Sequence, residues 1–196
     1  RAIGRSASED FTTFSPLELI LSADDNDPED SDLYNPAAVK YPYAANAYFM
    51  FPSLFRHKEQ TLDIRLAVSR DGIRWTWPEQ AAAFIPLGNA GEFDSGALYM
   101  GQGILRVGDE LWQYFSGAPL HHDEDAAQKP KARFFSRVVT RIDGYVSAEA
   151  GPEGGRFTTP PLLFQGNILK LNVSVRDGGS VRVGLLDEQG NPVEGR

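Results

Sequence analysis

The chain has 196 residues, of which 41% are hydrophobic and 23% charged, as in globular proteins with a sizeable core. Its net charge of −8 argues against nucleic acid as the main partner and favours neutral ligands, and the absence of cysteine excludes disulfides and thiolate sites. No apolar run approaches the roughly 18 to 20 residues that a membrane span needs, so no membrane partner is expected. The 19 glycines, 13 prolines and 11% aromatic residues favour an all-β protein with many turns.

A turn motif that occurs three times suggests the architecture. In its clearest copy, an apolar strand leads into Ser69-Arg70-Asp71-Gly72, and a short strand with Trp75 follows. Related copies are centred on Asp10 and on Asp143, so the turns lie about 60 to 70 residues apart. A period of this size, with several short strands in each unit, is typical of propeller blades. We therefore expect the three aspartates to be structural turn residues.

Residues 2–21 predict the second half of a blade, and an acidic loop follows from Asp24 to Asp32. Six carboxylates in nine residues suggest a cation site, since hard cations such as Ca²⁺ bind clustered oxygens. The spacing lacks the glycine and the closing glutamate of the helix-flanked calcium loop, so a solvated loop is the alternative. The candidate calcium ligands are Asp25, Asp27, Asp30 and Asp32.

One complete blade is predicted between residues 35 and 77. Its strands, from the innermost to the outermost, are 35–41, 47–51, 62–69 and 73–77. Apolar and polar residues alternate in the third strand, so that Leu62, Ile64 and Val68 share one face. Trp75 and Trp77 alternate in the fourth strand, and we expect both to pack between blades.

A second blade is predicted between residues 96 and 147, and the pattern changes after residue 150. Three longer strands are predicted there, at 157–164, 167–175 and 180–186, joined by glycine turns like the first strands of an antiparallel β-sandwich. We predict that residues 1–150 form about two and a half four-stranded blades of a propeller and that residues 151–196 begin a C-terminal β-sandwich. Both ends look cut from a longer protein, which we expect to be exported, in the periplasm or outside the cell.

The blade geometry also predicts a site. The start of an innermost strand and the loop between the second and third strands open on the same face of a propeller, and all three histidines fall in these loops. Asp94 stands at the mouth of an inner strand, where a carboxylate can bind sugar hydroxyls or act as an acid or base. Asp94 is therefore the catalytic candidate, and the predicted substrate-binding residues are Tyr34, Asn35, Arg56, His57, Ser95, His121 and His122.

Structural alternatives exist for these residues. Asp94 can cap the turn that follows it, and His57 can be an ordinary surface histidine. A zinc site at His121-His122 is conceivable, but adjacent histidines in a loop often point apart, and no third ligand is evident.

Several segments resemble bacterial relatives of the invertase-type glycosidases. The motifs are Phe51-Pro52-Ser53, Leu66 to Trp75, Ile85-Pro86-Leu87-Gly88, Phe93-Asp94-Ser95-Gly96, Leu111 to Gly117 and Thr140 to Ser147. This group, like the arabinanases and xylosidases, has a five-bladed propeller followed by a β-sandwich. The resemblance implies a glycoside hydrolase that acts on an oligosaccharide or glycoside, or a relative that has lost catalysis. It also implies that the nucleophile and the general acid come from earlier blades, so that Asp94 and the histidines shape the pocket.

Two other functions are compatible with the sequence. The motif Ser69-Arg70-Asp71-Gly72 with Trp75 resembles the Asp-box turn of sialidase-like propellers, which would need an arginine cluster for the substrate carboxylate; only Arg56 is suitably placed. A propeller without catalysis that binds glycans or proteins is the third possibility, and the missing catalytic acids favour it.

Overall fold

The structure is a computed structural model that describes residues 1–78, 82–122, 124 and 132–193. The protein is all-β: the described residues form 13 strands and no helix, and none of them belongs to a helix able to cross a membrane. The chain divides into two compact units, Arg1–Ile142 and Asp143–Arg196. The boundary lies a few residues before the predicted one at residue 150.

All 13 strands lie in the first unit. They are β1 (Ala2–Arg5), β2 (Glu18–Ser22), β3 (Ser31–Tyr34), β4 (Val39–Lys40), β5 (Tyr48–Met50), β6 (Ser53–Arg56), β7 (Thr61–Ile64), β8 (Ala67–Ser69), β9 (Trp75–Thr76), β10 (Ala97–Met100), β11 (Leu105–Val107), β12 (Glu110–Ala118) and β13 (Phe134–Arg141). β1 and β2 form a two-stranded sheet of their own.

A four-stranded antiparallel sheet has the strand order β4-β5-β8-β9, the order predicted for the complete blade. The third predicted strand is interrupted, because Arg65-Leu66 separates β7 from β8, and a further strand that was not predicted, β6, follows the second one after Phe51-Pro52. β6 and β7 pair with each other in another sheet. Trp75 and Trp77 pack against a buried cluster that includes Met50, so both are packing residues, while their location between blades stays a prediction.

The other large sheet has seven strands, six of which follow the order β11-β12-β10-β7-β6-β3. β11 and β10 pair with opposite ends of one edge of β12, and the seventh strand, β13, pairs with its other edge. β10 and β7 are parallel and every other pair is antiparallel. Side chains alternate along β12, so that Leu111, Gln113 and Phe115 are buried, whereas Tyr114 is on the opposite, exposed face. No sheet formed by the described residues closes on itself, so the number of blades stays a prediction.

Asp10 and Asp71 have their predicted role in two turns with the same hydrogen bonds. In each turn, one carboxylate oxygen accepts the backbone N–H groups of the residues two and three positions later, all at 2.8 Å. The hydroxyl of the serine two positions earlier lies 3.1 Å from the same oxygen. The backbone hydrogen bonds stabilise the ionised form and lower the pKa of both carboxyls below the ordinary 3.8. The turn at Asp143 differs, because the positive φ of 59° falls on the aspartate itself.

The residue after the aspartate has a left-handed backbone in both matching turns, with φ of 57° at Phe11 and 74° at Gly72. Phe11 is 89% exposed, so its ring contributes little packing. Replacing Phe11 with glycine should therefore raise the free energy of unfolding by about 0.5–1 kcal/mol, because the relief of left-handed strain exceeds the added chain entropy. Urea unfolding of both proteins measures the difference in their free energies of unfolding. Gly72→Ala is the matched change and should lower stability; a destabilised Phe11→Gly would contradict the prediction.

The second unit differs from its prediction. The segments predicted as strands at 157–164, 167–175 and 180–186 contain no strand, and its described residues form only an isolated bridge between Leu186 and Pro192. Apolar side chains there, such as Phe157 and Ile168, are at least 75% exposed. Strands need partners for their backbone groups, and the described part of this unit supplies none. The predicted β-sandwich therefore has no support from the structure.

Candidate functional site

The two predicted histidine loops meet around one aromatic ring. The rings of His57 and His122 each lie 4.5 Å, centroid to centroid, from the ring of Phe55 on β6. Tyr34, at the end of β3, packs edge-on against Phe55 at 5.4 Å and against His122 at 5.1 Å. The cluster thus contains three of the residues predicted to bind substrate.

Hydrogen bonds hold both loops in place. Gln60 joins them, because its side-chain amide donates to the His57 carbonyl and its own carbonyl accepts the His122 N–H, both at 2.8 Å. The His57 Nε2 atom lies 2.9 Å from the Asp32 carboxylate, whose other oxygen contacts the backbone nitrogen of Arg1. His57 and His122 are therefore ordered by the loop that connects β6 to β7 and by the end of the acidic loop.

Tyr99 on β10 links this cluster to a neighbouring cleft. Its hydroxyl is 3.1 Å from the His122 Nδ1 atom. The guanidinium carbon of Arg133 lies over the Tyr99 ring, 5.5 Å from its centroid. Burial raises the pKa of the Tyr99 hydroxyl, and the charge of Arg133 opposes that rise. Tyr99 is therefore a neutral hydrogen-bonding group at neutral pH.

The cleft has a volume of about 490 Å³. Its lining combines polar groups with aromatic rings, a mixture typical of small-molecule sites. The lining residues are Asn35, Tyr99, Met100, Gly101, Tyr114, Phe115, Ser116, Arg133 and Phe135. Asn35, predicted to bind substrate, is therefore part of this cleft.

Strand pairing positions the aromatic side of the cleft. Ser116 on β12 pairs directly with Phe135 on β13, and Tyr114 lies two residues earlier on the same face of β12. Phe135 is 86% exposed and Tyr114 is 46% exposed. Two aromatic rings are thus presented to solvent on one sheet face beside the cleft's polar groups.

Asn35 has a fixed amide. It has a left-handed backbone, with φ of 45°, and its side-chain nitrogen donates to the Met100 carbonyl at 2.8 Å. The interaction leaves the Asn35 Oδ1 atom able to accept a hydrogen bond from a ligand.

Arg56, the arginine considered for a substrate carboxylate, is committed elsewhere. Its guanidinium contacts the Asp63 carboxylate at 2.6 Å, and the Nε of Arg65 donates to the other oxygen at 2.9 Å. Asp63 and Arg65 are both buried. The three side chains form a structural ion-pair network, so the structure does not support a substrate-binding role for Arg56.

Asp94 does not line the cleft. The Asp94 carboxylate lies so close to Gly88 that a Cβ added to Gly88 would clash with it. A Cβ added to Gly117 would lie 3.1 Å from the Cβ of Asp94. Gly117 is on the face of β12 opposite to Ser116, because side chains alternate along a strand. The Asp94 side chain has no hydrogen-bond partner among the described residues, so it does not make the predicted cap, and its catalytic role stays a prediction. The Ser95 hydroxyl donates to the Glu92 carbonyl at 2.9 Å within a turn.

His121 and His122 contact different groups. His121 lines a separate cleft of about 740 Å³, together with charged residues that include Lys58 and Glu59. Its backbone N–H donates to the Glu124 carboxylate at 2.8 Å. The structure therefore does not bring His121 to the aromatic cluster that contains His122.

The acidic loop is not gathered into a metal site. Its residues are all described, and no group of three or more His, Asp or Glu side chains in the described part of the chain is arranged to hold a metal ion. Asp27 accepts the Asp24 N–H at 3.0 Å and Asp32 binds His57, whereas Asp25 and Asp30 are exposed. The prediction of calcium ligands at Asp25, Asp27, Asp30 and Asp32 therefore has no support from the geometry.

Sequence reasoning missed the residues that form most of the cleft. Tyr99, Tyr114 and Phe135 stand in strands and resemble ordinary packing aromatics, and Arg133 follows a long loop. The available signal was the run Leu111 to Ser116, in which Tyr114 falls on the polar side of the alternation.

No protein-family model, no characterised protein and no solved structure matches this chain. The assignment of function therefore depends on the geometry of the cleft and its neighbouring cluster.

Proposed function

We propose that the first unit is the glycan-binding part of a carbohydrate-active protein, and that its binding site is the cleft between β10, β12 and β13. The observation that carries this proposal is the pairing of exposed aromatic rings with fixed polar groups around one open cleft. Sugars have apolar faces that stack on aromatic rings and hydroxyls that need directed hydrogen bonds, so this combination suits them.

The individual groups can be assigned roles. Tyr114 and Phe135 supply apolar surface on one side, while Asn35 Oδ1 can accept a hydrogen bond from a sugar hydroxyl. Tyr99 is supported from behind by His122, at 3.1 Å. His57 and His122 accordingly act as positioning residues beneath the cleft, since both pack on Phe55.

The proposed architecture is part of a five-bladed propeller. Its support is the four-stranded meander β4-β5-β8-β9 and the matching hydrogen bonds of the turns at Asp10 and Asp71. A turn repeated in successive units fits the radial repetition of blades in a propeller.

Glycoside hydrolysis is a further step that depends on the resemblance to the invertase-type glycosidases. Such enzymes use two carboxylates that flank the scissile bond. The described lining of the cleft contains no carboxylate, and Asp94 lies on the other face of β12. Binding is therefore the function that the geometry supports best, and hydrolysis stays a prediction.

The test is titration of the protein with a panel of plant and bacterial oligosaccharides by calorimetry. Truncation of a central aromatic in an interface commonly removes more than about 1 kcal/mol, so Tyr114→Ala and Phe135→Ala should each weaken binding at least about fivefold. Val139→Ala is the matched control, because Val139 is on the same face of β13 as Phe135, exposed but outside the cleft. Unchanged affinity in both aromatic variants, or no binding of any oligosaccharide, would overturn the proposal. Release of reducing ends in the same samples would add hydrolysis to it.

A further inference from the structure

Arg133 is the only charged residue in the described lining of the cleft. Other arginines of the first unit have carboxylate partners: Arg56 and Arg65 contact Asp63, and Arg106 contacts Asp109. Arg133 has no such partner among the described residues and stacks instead on the Tyr99 ring. Within the described part of the chain, the cleft therefore presents a positive charge that no carboxylate neutralises.

We propose that the cleft selects sugars that carry a carboxylate, such as uronic or sialic acids, and that the Arg133 guanidinium binds that group. This inference rests on the proposed glycan-binding function and names the class of sugar. A guanidinium offers a planar pair of N–H donors that matches the two oxygens of a carboxylate. Its position over Tyr99 orients the planar group beside the cleft's hydroxyl and amide groups.

The net charge of −8 does not oppose this selection. Charges separated by more than about 8 Å are largely screened at physiological ionic strength, whereas a group bound in the cleft is in direct contact with Arg133. No carboxylate of the described lining competes for the guanidinium or repels the ligand. The local charge of the cleft therefore decides its preference.

The rest of the lining orients the sugar that carries the acid group. Asn35 Oδ1 can accept a hydrogen bond from a hydroxyl but has no proton to donate to a carboxylate, and one of the two amide N–H groups is bound to the Met100 carbonyl. Asn35 consequently favours a hydroxyl at its side of the cleft and leaves the carboxylate to Arg133. Tyr114 and Phe135 cover the apolar face of the ring.

The experiment compares each acidic sugar with its neutral methyl ester. The intact protein is titrated by calorimetry with short oligosaccharides of galacturonic acid, glucuronic acid and sialic acid, and with the methyl ester of each. A hydrogen bond to a charged group is commonly worth about 1.5–3 kcal/mol, so the wild-type protein should bind at least one acid about tenfold or more tighter than its ester. Equal affinity for acid and ester in every pair would overturn the inference but leave the proposed function standing. No binding of any member of this panel would also overturn the inference, whereas the proposed function is overturned only if the wider oligosaccharide panel fails as well.

Variants of Arg133 then assign the preference. Arg133→Gln should bind acid and ester equally, and Arg133→Lys should keep a smaller preference for the acid, because lysine retains the charge but not the paired donors. Arg141→Gln, at the far end of β13 from Arg133 and outside the cleft, is the matched control and should behave as wild type. A preference for the acid that survives Arg133→Gln would overturn the inference.

Discussion

Replacing Asp63 with alanine should lower the free energy of unfolding by about 3–5 kcal/mol, because the change leaves two arginines without their shared counter-ion. Asp63 is 6% exposed and Arg65 is 5% exposed. Removal of one member of a buried ion pair costs more than the pair contributes, since the remaining charge is still out of water. Typical domains have only about 5–15 kcal/mol of stability in total, so this single change should remove a large share of it.

Denaturant unfolding followed by tryptophan fluorescence measures the effect. Asp63→Asn, which keeps the shape and an acceptor oxygen but loses the charge, should fall between wild type and Asp63→Ala. The control is Asp109→Ala, because Asp109 is an exposed aspartate that faces Arg106 at 3.7 Å across solvent and should matter little. If the Asp63 and Asp109 variants unfold at the same denaturant concentration, the buried network does not have the proposed stabilising role.

Replacing Gly96 with alanine should cost about 3 kcal/mol and weaken oligosaccharide binding. A Cβ at this position would lie 2.6 Å from the carbonyl carbon of Leu120 and would also clash with its oxygen. Both are backbone atoms, so no side-chain rotation can relieve the overlap. The Gly96 N–H also donates to the Ala118 carbonyl at 2.9 Å, which holds the two segments together.

The effect on binding follows from the chain that Gly96 supports. Leu120 is two residues before His122, which contacts Tyr99 at the cleft. A displaced Leu120 therefore shifts the support of Tyr99, so that affinity and stability should fall together. Gly184→Ala is a suitable control, because no atom lies within 4 Å of a Cβ there and no positive φ is required. Wild-type stability and wild-type binding in Gly96→Ala would contradict this account.

The features that the sequence predicted correctly are local ones. The turn at Asp71 needs only its own backbone N–H groups, and the meander of four strands follows from alternation between successive turns. His57 and His122 both pack on Phe55, and the sequence had placed them in loops at equivalent positions of the predicted repeat. In each of these features the determining residues are close in sequence or stand at equivalent positions of a repeat.

The features that were missed depend on partners distant in sequence. Arg133 and Tyr99 become neighbours only because β13 and β10 both pair with β12. Arg56 was predicted to bind substrate because the sequence does not show that its ion-pair partner, Asp63, is buried. In the second unit, the apolar alternation is strong, but the pattern alone does not supply the partner strand that would turn it into a sheet.

β12, the longest strand of the seven-stranded sheet, has neighbours on both edges along nearly its whole length. β13 pairs with it from Glu110 to Gly117, while β11 and β10 share the opposite edge. The Tyr114 carbonyl, which falls between those two neighbours, accepts the Gly101 N–H at 2.8 Å. Local opening of β12 requires three strands to separate together, so it belongs among the last parts of the chain to exchange its amide protons. The proposed sugar would thus lie between the protected strand β12, which carries Tyr114, and the edge strand β13, which pairs with β12 alone in the described sheet.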